Sequence, residues 1–297
     1  MIINDTQVQT LIEALPYLRD FKDKTIVVKY GGNAMLNDQI KNKVLQDIVF
    51  LQCAGMRPVV VHGGGPEITA MLMQAGKKSE FVSGLRVTDA ESVGIAEMAL
   101  VGKINTDLVA RLNTLGGRAV GLNGKDANLV QAKKHLADVY ENGEVNLVDI
   151  GYVGNVEHVN TDLIEVLLAN GFIPVIAPTG VGSSGETYNI NADSVAGEIA
   201  GALKAEKLLV LTDVRGIYSD YRDENSFIST LTFEKAQELI IRGKIDGGMI
   251  PKVRACITAL SGGAKKTHII DGRAEHTILM EIFSDKGVGT EVVKELR

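Results

Sequence analysis

The 297-residue sequence contains no tryptophan, and aromatic residues make up only 5% of it. A stacking surface for single-stranded nucleic acid needs several rings on one face, so that partner is disfavoured. Positive charge is also short: 31 Lys and Arg against 37 Asp and Glu leave a formal net charge of −6. Nucleic acid and anionic membrane surfaces are therefore not expected as main partners, although a local basic cleft is compatible with this balance. Two cysteines, Cys53 and Cys256, make no disulfide framework, and both are expected to pack as small apolar groups in helices. His135, His158, His268 and His276 show no metal-ligand spacing, and no metal site is expected. No apolar run approaches a membrane span, and the first residues lack a basic region before an apolar core. The expectation is a cytoplasmic protein in a reducing compartment. GxxxxGK[ST] is absent, which removes the P-loop. His62 has no Ser or Cys nucleophile in an elbow context and reads as structural.

What the chain does have is a recurring unit of apolar strand, glycine turn and helix. Residues 25–30 form a strand stopped by Gly31-Gly32, with a helix over 38–54. Residues 57–62 form a second, stopped by Gly63-Gly64-Gly65, with a helix to Gln74. Strands at 118–122, 172–177, 207–212 and 266–270 continue the series, which predicts an α/β fold around a mostly parallel sheet. The all-apolar run 208–211 reads as a strand buried on both faces. Asn191 or Asp193 caps a helix over 194–203. Ahead of the sheet, Val8, Leu11, Ile12, Leu15 and Leu18 repeat at helical spacing over 6–22, with Pro16 expected to kink or break the helix. Packing of that helix on its own chain is the plain expectation. Segments 82–88 and 127–156, the second with Asn142-Gly143, read as hairpins at the sheet edge or over its ligand end.

The turns carry the chemical signal. Glycines at two strand ends let ligand oxygens approach backbone N–H groups, and the helix after Gly65 adds its positive end; together they predict a phosphate or carboxylate site. Lys29 lies inside an otherwise apolar strand just before the first turn. An edge-strand lysine reaching solvent is the ordinary alternative, but beside Gly31-Gly32 the ligand reading is preferred. Lys252 follows a second kind of glycine turn, Gly247-Gly248, at a helix start. Arg86 is suited to clamp a carboxylate by two hydrogen bonds; a structural pair with Asp89 fits its spacing equally. Gly180-Val-Gly-Ser-Ser-Gly185 matches GxGxxG, but β-like residues follow where a dinucleotide fold needs a helix, so it reads as a turn and a dehydrogenase is disfavoured.

Lys29-Tyr-Gly-Gly32, His62-Gly-Gly-Gly-Pro66, Gly84-Leu-Arg-Val-Thr88, Asn189-Ile-Asn-Ala-Asp193, Leu211-Thr-Asp-Val-Arg-Gly-Ile217 and Gly247-Gly-Met-Ile-Pro-Lys252 occur in this order. They resemble the amino acid kinase family, and within it the branch acting on N-acetyl-L-glutamate. The resemblance implies a three-layer αβα sandwich: an N-terminal arm (1–24), an acyl amino acid lobe (25–185) and an ATP lobe (186–297). It implies that Lys29 and Lys252 flank the transferred phosphoryl and that Asp193 orients them. Gly64, Gly65, Arg86 and Asn189 match substrate-binding positions. Gly31, Gly32, Thr212, Asp213, Gly216, Ile217, Gly247, Gly248 and Met249 match the nucleotide region. ATP with Mg²⁺ is the implied phosphoryl donor and the γ-carboxylate the acceptor, ionised near neutral pH and needing no general base. Tyr17, His276, Glu281 and Gly289, with the kinked arm, resemble the arginine-inhibited hexameric subgroup, a trimer of dimers. Some relatives also bind a nitrogen-signalling regulatory protein. A non-catalytic arginine sensor on the same fold is disfavoured because it would not need both lysines and Asp193.

Overall fold

The computed structural model describes residues 5–35, 37–141, 144–220, 222–285 and 287–295. The first four residues of the expected arm, the expected Asn142-Gly143 turn and the last two residues of the expected C-terminal lobe lie outside the described residues. Eight strands make one sheet in the order β14 (Thr230–Thr232), β16 (Thr290–Val293), β15 (Lys266–Asp271), β11 (Lys207–Thr212), β1 (Thr25–Tyr30), β2 (Arg57–His62), β8 (Ile173–Ala177), β5 (Ala119–Asn123). Every neighbouring pair is parallel except β15 with β16.

Strand alternation divides the core into two halves. Val27, Val61, Leu208 and Val210 face a cluster built with α6 (Asp162–Ala169), α7 (Ala192–Ala202), α8 (Phe233–Ile241) and α9 (Met249–Gly262). Ile26, Val28, Val60, Leu209 and Leu211 face the other way, onto α2 (Asp38–Cys53), α3 (Gly65–Gln74), α4 (Ala90–Glu97), α5 (Thr106–Thr114) and α10 (Thr277–Ile282). A sheet with apolar side chains on both faces must be covered twice, which gives the expected three layers. From β1 the chain winds outward through β2, then returns after β8 to place β11 on the other side of β1. The crevice at the carboxyl ends of β1 and β11 is thus a topological switch point, where open α/β sheets bind ligands.

Over this end stands a closed barrel of β6 (Val130–Glu141), β7 (Glu144–Val159), β9 (Thr179–Val181) and β10 (Thr187–Asn189), beside the small hairpin β3 (Phe81–Val82) and β4 (Leu85–Arg86). A second short hairpin joins β12 (Ile217–Tyr218) to β13 (Phe227–Ile228). The GxGxxG stretch is the β9–β10 hairpin, and a Cβ on Gly180 would press on Ile190 and Ala132. No helix opens there, as a dinucleotide site would require.

Several expectations change. α1 (Asp5–Phe21) continues through Pro16, so the proline removes one hydrogen bond without breaking the helix. Its apolar stripe does not pack on this chain: Val8, Leu11, Ile12 and Leu15 are exposed, Leu11 at 65%. Cys53 is exposed at the end of α2, and only Cys256 is packed as expected. Asn191, not Asp193, caps α7, accepting from the Asp193 and Ser194 N–H groups at 2.8 and 3.2 Å. Between α4 and α5 the helix widens to a π-helix over Met98–Asn105, which directs Leu100 and Ile104 onto Gly64.

Candidate active site

Helices α7 and α9 set the centre of the site. Gly197 and Gly201 of α7 face Ala255, Ala259 and Gly262 of α9, so the two backbones approach closely. The helices start together, placing Asp193 in the first turn of one and Lys252 in the first turn of the other. Asp193 accepts a hydrogen bond from Lys252 Nζ at 3.0 Å through Oδ2, while Lys29 Nζ stands 2.9 Å from Oδ1. Each carboxylate oxygen of Asp193 thus faces one ammonium group. All three side chains are largely buried, Lys29 and Asp193 to 6% exposure. Burial pushes the Asp193 carboxyl up, yet Lys29 and Lys252 outweigh it and hold the group below the usual carboxylate range. Burial is the largest influence on Lys29 and lowers its ammonium, helped by Lys252 and opposed by Asp193. A lysine at a helix start opposes the helix dipole, so Lys252 gains nothing locally from its position. Asp193 is what stabilises it there.

Two cavities meet at this triad. The larger, about 1000 Å³, is lined by Lys252 and by the loops after β11 and before α9; the smaller, about 240 Å³, by Lys29, Asp193 and the Gly63–Gly65 turn. Gly32 and Pro66 line both. The two glycine turns touch: a Cβ on Gly31 would lie 3.0 Å from Gly63 N and 3.2 Å from Lys29 Nζ. Gly65 meets nothing within 4 Å at its Cβ position, leaving its backbone open. This is the exposed-amide geometry that suits an anion.

Arg86 forms the far wall of the smaller cavity. Its guanidinium donates to Ser79 Oγ, to Gly65 O at 3.0 Å and to Thr69 Oγ1 at 2.8 Å, and stacks 4.7 Å from the Phe81 ring centroid. The alternative pairing with Asp89 does not occur: Asp89 caps α4 through Ser92 N and pairs with Lys77 at 2.6 Å. Arg86 has no carboxylate partner among the described residues, so its charge faces the cavity. Asn189 and Gly64, expected with Arg86 at the substrate, line the same cavity.

Of the residues expected to bind nucleotide, Gly31, Gly32, Thr212, Asp213, Gly216, Ile217, Gly248 and Met249 line the larger cavity; Gly247 sits in the same turn with φ +46°. Arg222, Lys244 and Tyr218 also line it and were not foreseen. Arg222 and Lys244 stand in irregular loops and Tyr218 in the two-residue strand β12, where no periodicity marks a residue as inward-facing. Among the described residues no group of three or more His, Cys, Asp or Glu could hold a metal ion.

The residues expected around an arginine ligand are partly brought together. Tyr17 donates to Asp285 at 2.6 Å and meets Phe283 edge-on at 6.0 Å. Glu281 is buried beside Lys207 Nζ at 3.2 Å and accepts from Val288 N at 2.9 Å. Gly289 leaves no room for a side chain against the Ile269 carbonyl. His276 turns away from Glu281 and lies 2.6 Å from Asp47; the imidazole at Glu281 is that of His268, 3.2 Å away.

Residues 24–271 match the model of the amino acid kinase family. Acetylglutamate kinase of Moorella thermoacetica is 59% identical over 283 residues, covering 95% of this chain and 96% of the relative. That of Pelotomaculum thermopropionicum is 56% identical over 285 residues, covering 96% and 97%. Among solved structures, N-acetylglutamate synthase from Neisseria gonorrhoeae, complexed with coenzyme A and N-acetyl-glutamate, superposes with a TM-score of 0.82 at 28% identity. That match covers 98% of this chain, which spans 64% of the synthase. Giardia lamblia carbamate kinase bound to AMP-PNP shares the fold, with a TM-score of 0.65 at 19% identity over 92% of this chain and 99% of the kinase. With this sheet order and that extent of agreement, the chain belongs to the amino acid kinase family.

Proposed function

We propose that this chain transfers the γ-phosphoryl group of ATP to the γ-carboxylate of N-acetyl-L-glutamate, a step of arginine biosynthesis. A carboxylate oxygen attacks the γ-phosphorus, the bond to the β-phosphate oxygen breaks, and ADP and N-acetyl-L-glutamyl 5-phosphate leave. One observation carries the reading: Lys29 and Lys252, held by one buried carboxylate, stand where the two cavities meet. A loose phosphoryl-transfer transition state needs charge neutralisation and alignment more than a general base, and this arrangement suits both. The larger cavity suits ATP, and the 186–297 segment that builds most of it serves as the nucleotide lobe. Mg²⁺ carried by the nucleotide would supply neutralisation of its phosphates. Lys29, Lys252 and the amides of the two glycine turns are this chain's own contribution.

The smaller cavity favours an acylated amino acid over a free one. Asp193 is the one carboxylate among its described lining residues, and both of its oxygens face lysines. A free α-ammonium would meet Lys29 and Arg86 with no anion to pair with, whereas an acetylamide brings no charge. The relatives named acetylglutamate kinase support the same acceptor.

Arginine as a feedback inhibitor belongs to the same proposal. The buried Glu281 cluster and the exposed stripe of α1 support it, together with the synthase structure described as complexed with coenzyme A and L-arginine. Under this reading α1 joins copies of the chain into a hexamer. ADP release with Mg-ATP should occur with N-acetyl-L-glutamate, fall when L-arginine is added, and be absent with glutamate or aspartate. Turnover of free glutamate at an equal rate would remove the acceptor assignment.

A further inference from the structure

His62 closes β2 and is completely buried, one residue before the glycine turn. Its Nδ1 lies 2.9 Å from the Gly63 carbonyl oxygen, and its Nε2 lies 3.1 Å from Nδ2 of Asn105. Asn105, at the end of the π-helix, also reaches the Val175 carbonyl oxygen with the same Nδ2, at 2.8 Å. A carbonyl can only accept, so Val175 fixes which end of the Asn105 amide faces inward: the NH₂ group. The second N–H of that group points at Nε2, which must accept. The proton of the neutral ring therefore sits on Nδ1 and is donated to Gly63 O. Burial lowers the imidazole from 6.5 to about 4, so the neutral ring persists at working pH.

The consequence falls on the next peptide. Gly63 N donates to Tyr30 O at 2.8 Å, so that residue is held at both its amide and its carbonyl. In a trans peptide the carbonyl and the following N–H point in opposite directions, and no cis bond occurs among the described residues. Turning Gly63 C=O toward His62 turns Gly64 N–H away from it, toward the smaller cavity that Gly63, Gly64 and Gly65 line. Leu100 and Ile104 pack against Gly64, where a Cβ would overlap both.

We propose that His62, set in its Nδ1–H tautomer by Asn105, is a positioning residue that aims the Gly64 N–H at an oxygen of the phosphoryl group in transfer. The inference rests on the kinase reading but carries its own test. Asparagine can place an N–H at the Nδ1 position, whereas glutamine reaches only the Nε2 position. His62→Asn should keep kcat within about threefold of the parent, and His62→Gln should lose about 100-fold in kcat, with the KM for acetylglutamate changed far less. Asn105→Asp, an isosteric change, sets a carboxylate against Nε2, draws the proton there and should match His62→Gln. That variant serves if the histidine substitutions do not fold. Equal kcat in His62→Asn and His62→Gln, or an unaffected Asn105→Asp, would overturn the proposal. ¹⁵N-histidine NMR of the full chain reads the tautomer without turnover. One imidazole neutral at pH 5.5 with its proton on Nδ1 is expected, and an Nε2–H ring at His62 would contradict it. An inactive parent with the expected tautomer would instead remove the kinase reading.

Discussion

Gly197 of α7 lies directly against Ala255 of α9: a Cβ on the glycine would stand 2.6 Å from the Ala255 carbonyl oxygen. The missing side chain brings the two helix starts close enough for Asp193 to reach Lys252. Gly197→Ala would force the helices apart, because the obstacle is backbone rather than a flexible chain end. The expected cost is about 1–3 kcal/mol of stability, read from denaturant midpoints, with kcat falling further than Gly→Ala at the exposed Gly76. An unchanged kcat in a folded Gly197→Ala protein would show that the crossing does not align the triad.

Asp193→Asn preserves shape and removes the charge both ammonium groups share. Two lysines left without their common anion should repel, and kcat should fall about 100-fold or more, with the fold retained by circular dichroism. Comparable turnover in the variant would mean that the lysines hold their places without Asp193.

Arg86→Lys keeps a positive charge but loses the planar fork that holds Gly65 O and Thr69 while facing the cavity. Its main effect should be a rise of about tenfold or more in the KM for acetylglutamate, with a smaller change in the KM for ATP. Steady-state kinetics with each substrate varied separates the two; an effect confined to kcat would contradict a clamp on the bound acceptor.

Acid should weaken the fold through its buried histidines. His62 titrates at about 4 when folded against 6.5 in the open chain, and His268 is likewise lowered by burial. Below 6.5 the unfolded chain takes up protons that the folded chain refuses, so stability is full above that pH and falls toward pH 4. Each histidine contributes at most about 1.4 kcal/mol per pH unit in that window. Denaturant midpoints at pH 7 and pH 5 should therefore differ, and by less in His62→Asn; no difference would contradict a neutral buried ring.

Much of this was legible from residue order. Thr25–Tyr30 and Arg57–His62 are apolar runs with glycine stops, and a run buried on both faces leaves little freedom in where it lies. Lys29 stood out because a charge inside a buried strand breaks a local rule, whereas Lys252 was marked by the glycine turn before it and Asp193 by its place at a helix start and in the Asn189–Asp193 motif. Other features leave no such mark. A π-turn has the composition of an α-helix, so the route from Asn105 to His62 depends on packing alone. β14 and β16 are only three and four residues long, and are stabilised by pairing across the sheet rather than by their own pattern. The stripe on α1 has the spacing of a buried face, and periodicity alone does not say which body will cover it.

Deleting residues 1–22 should lower the order of assembly, read by light scattering, while leaving turnover without arginine within about threefold, because the triad makes no contact with α1. Loss of turnover with assembly unchanged would instead make α1 part of the catalytic body.

The most direct test of the central claim is to trap the product. Incubated with Mg-ATP, N-acetyl-L-glutamate and hydroxylamine, the chain should form the hydroxamate of the γ-carboxylate in step with ADP, and the Lys252→Ala variant should form it at least about 100-fold more slowly. ADP release without hydroxamate would mean that the phosphoryl group goes to water or another acceptor, and would contradict the assignment of the smaller cavity.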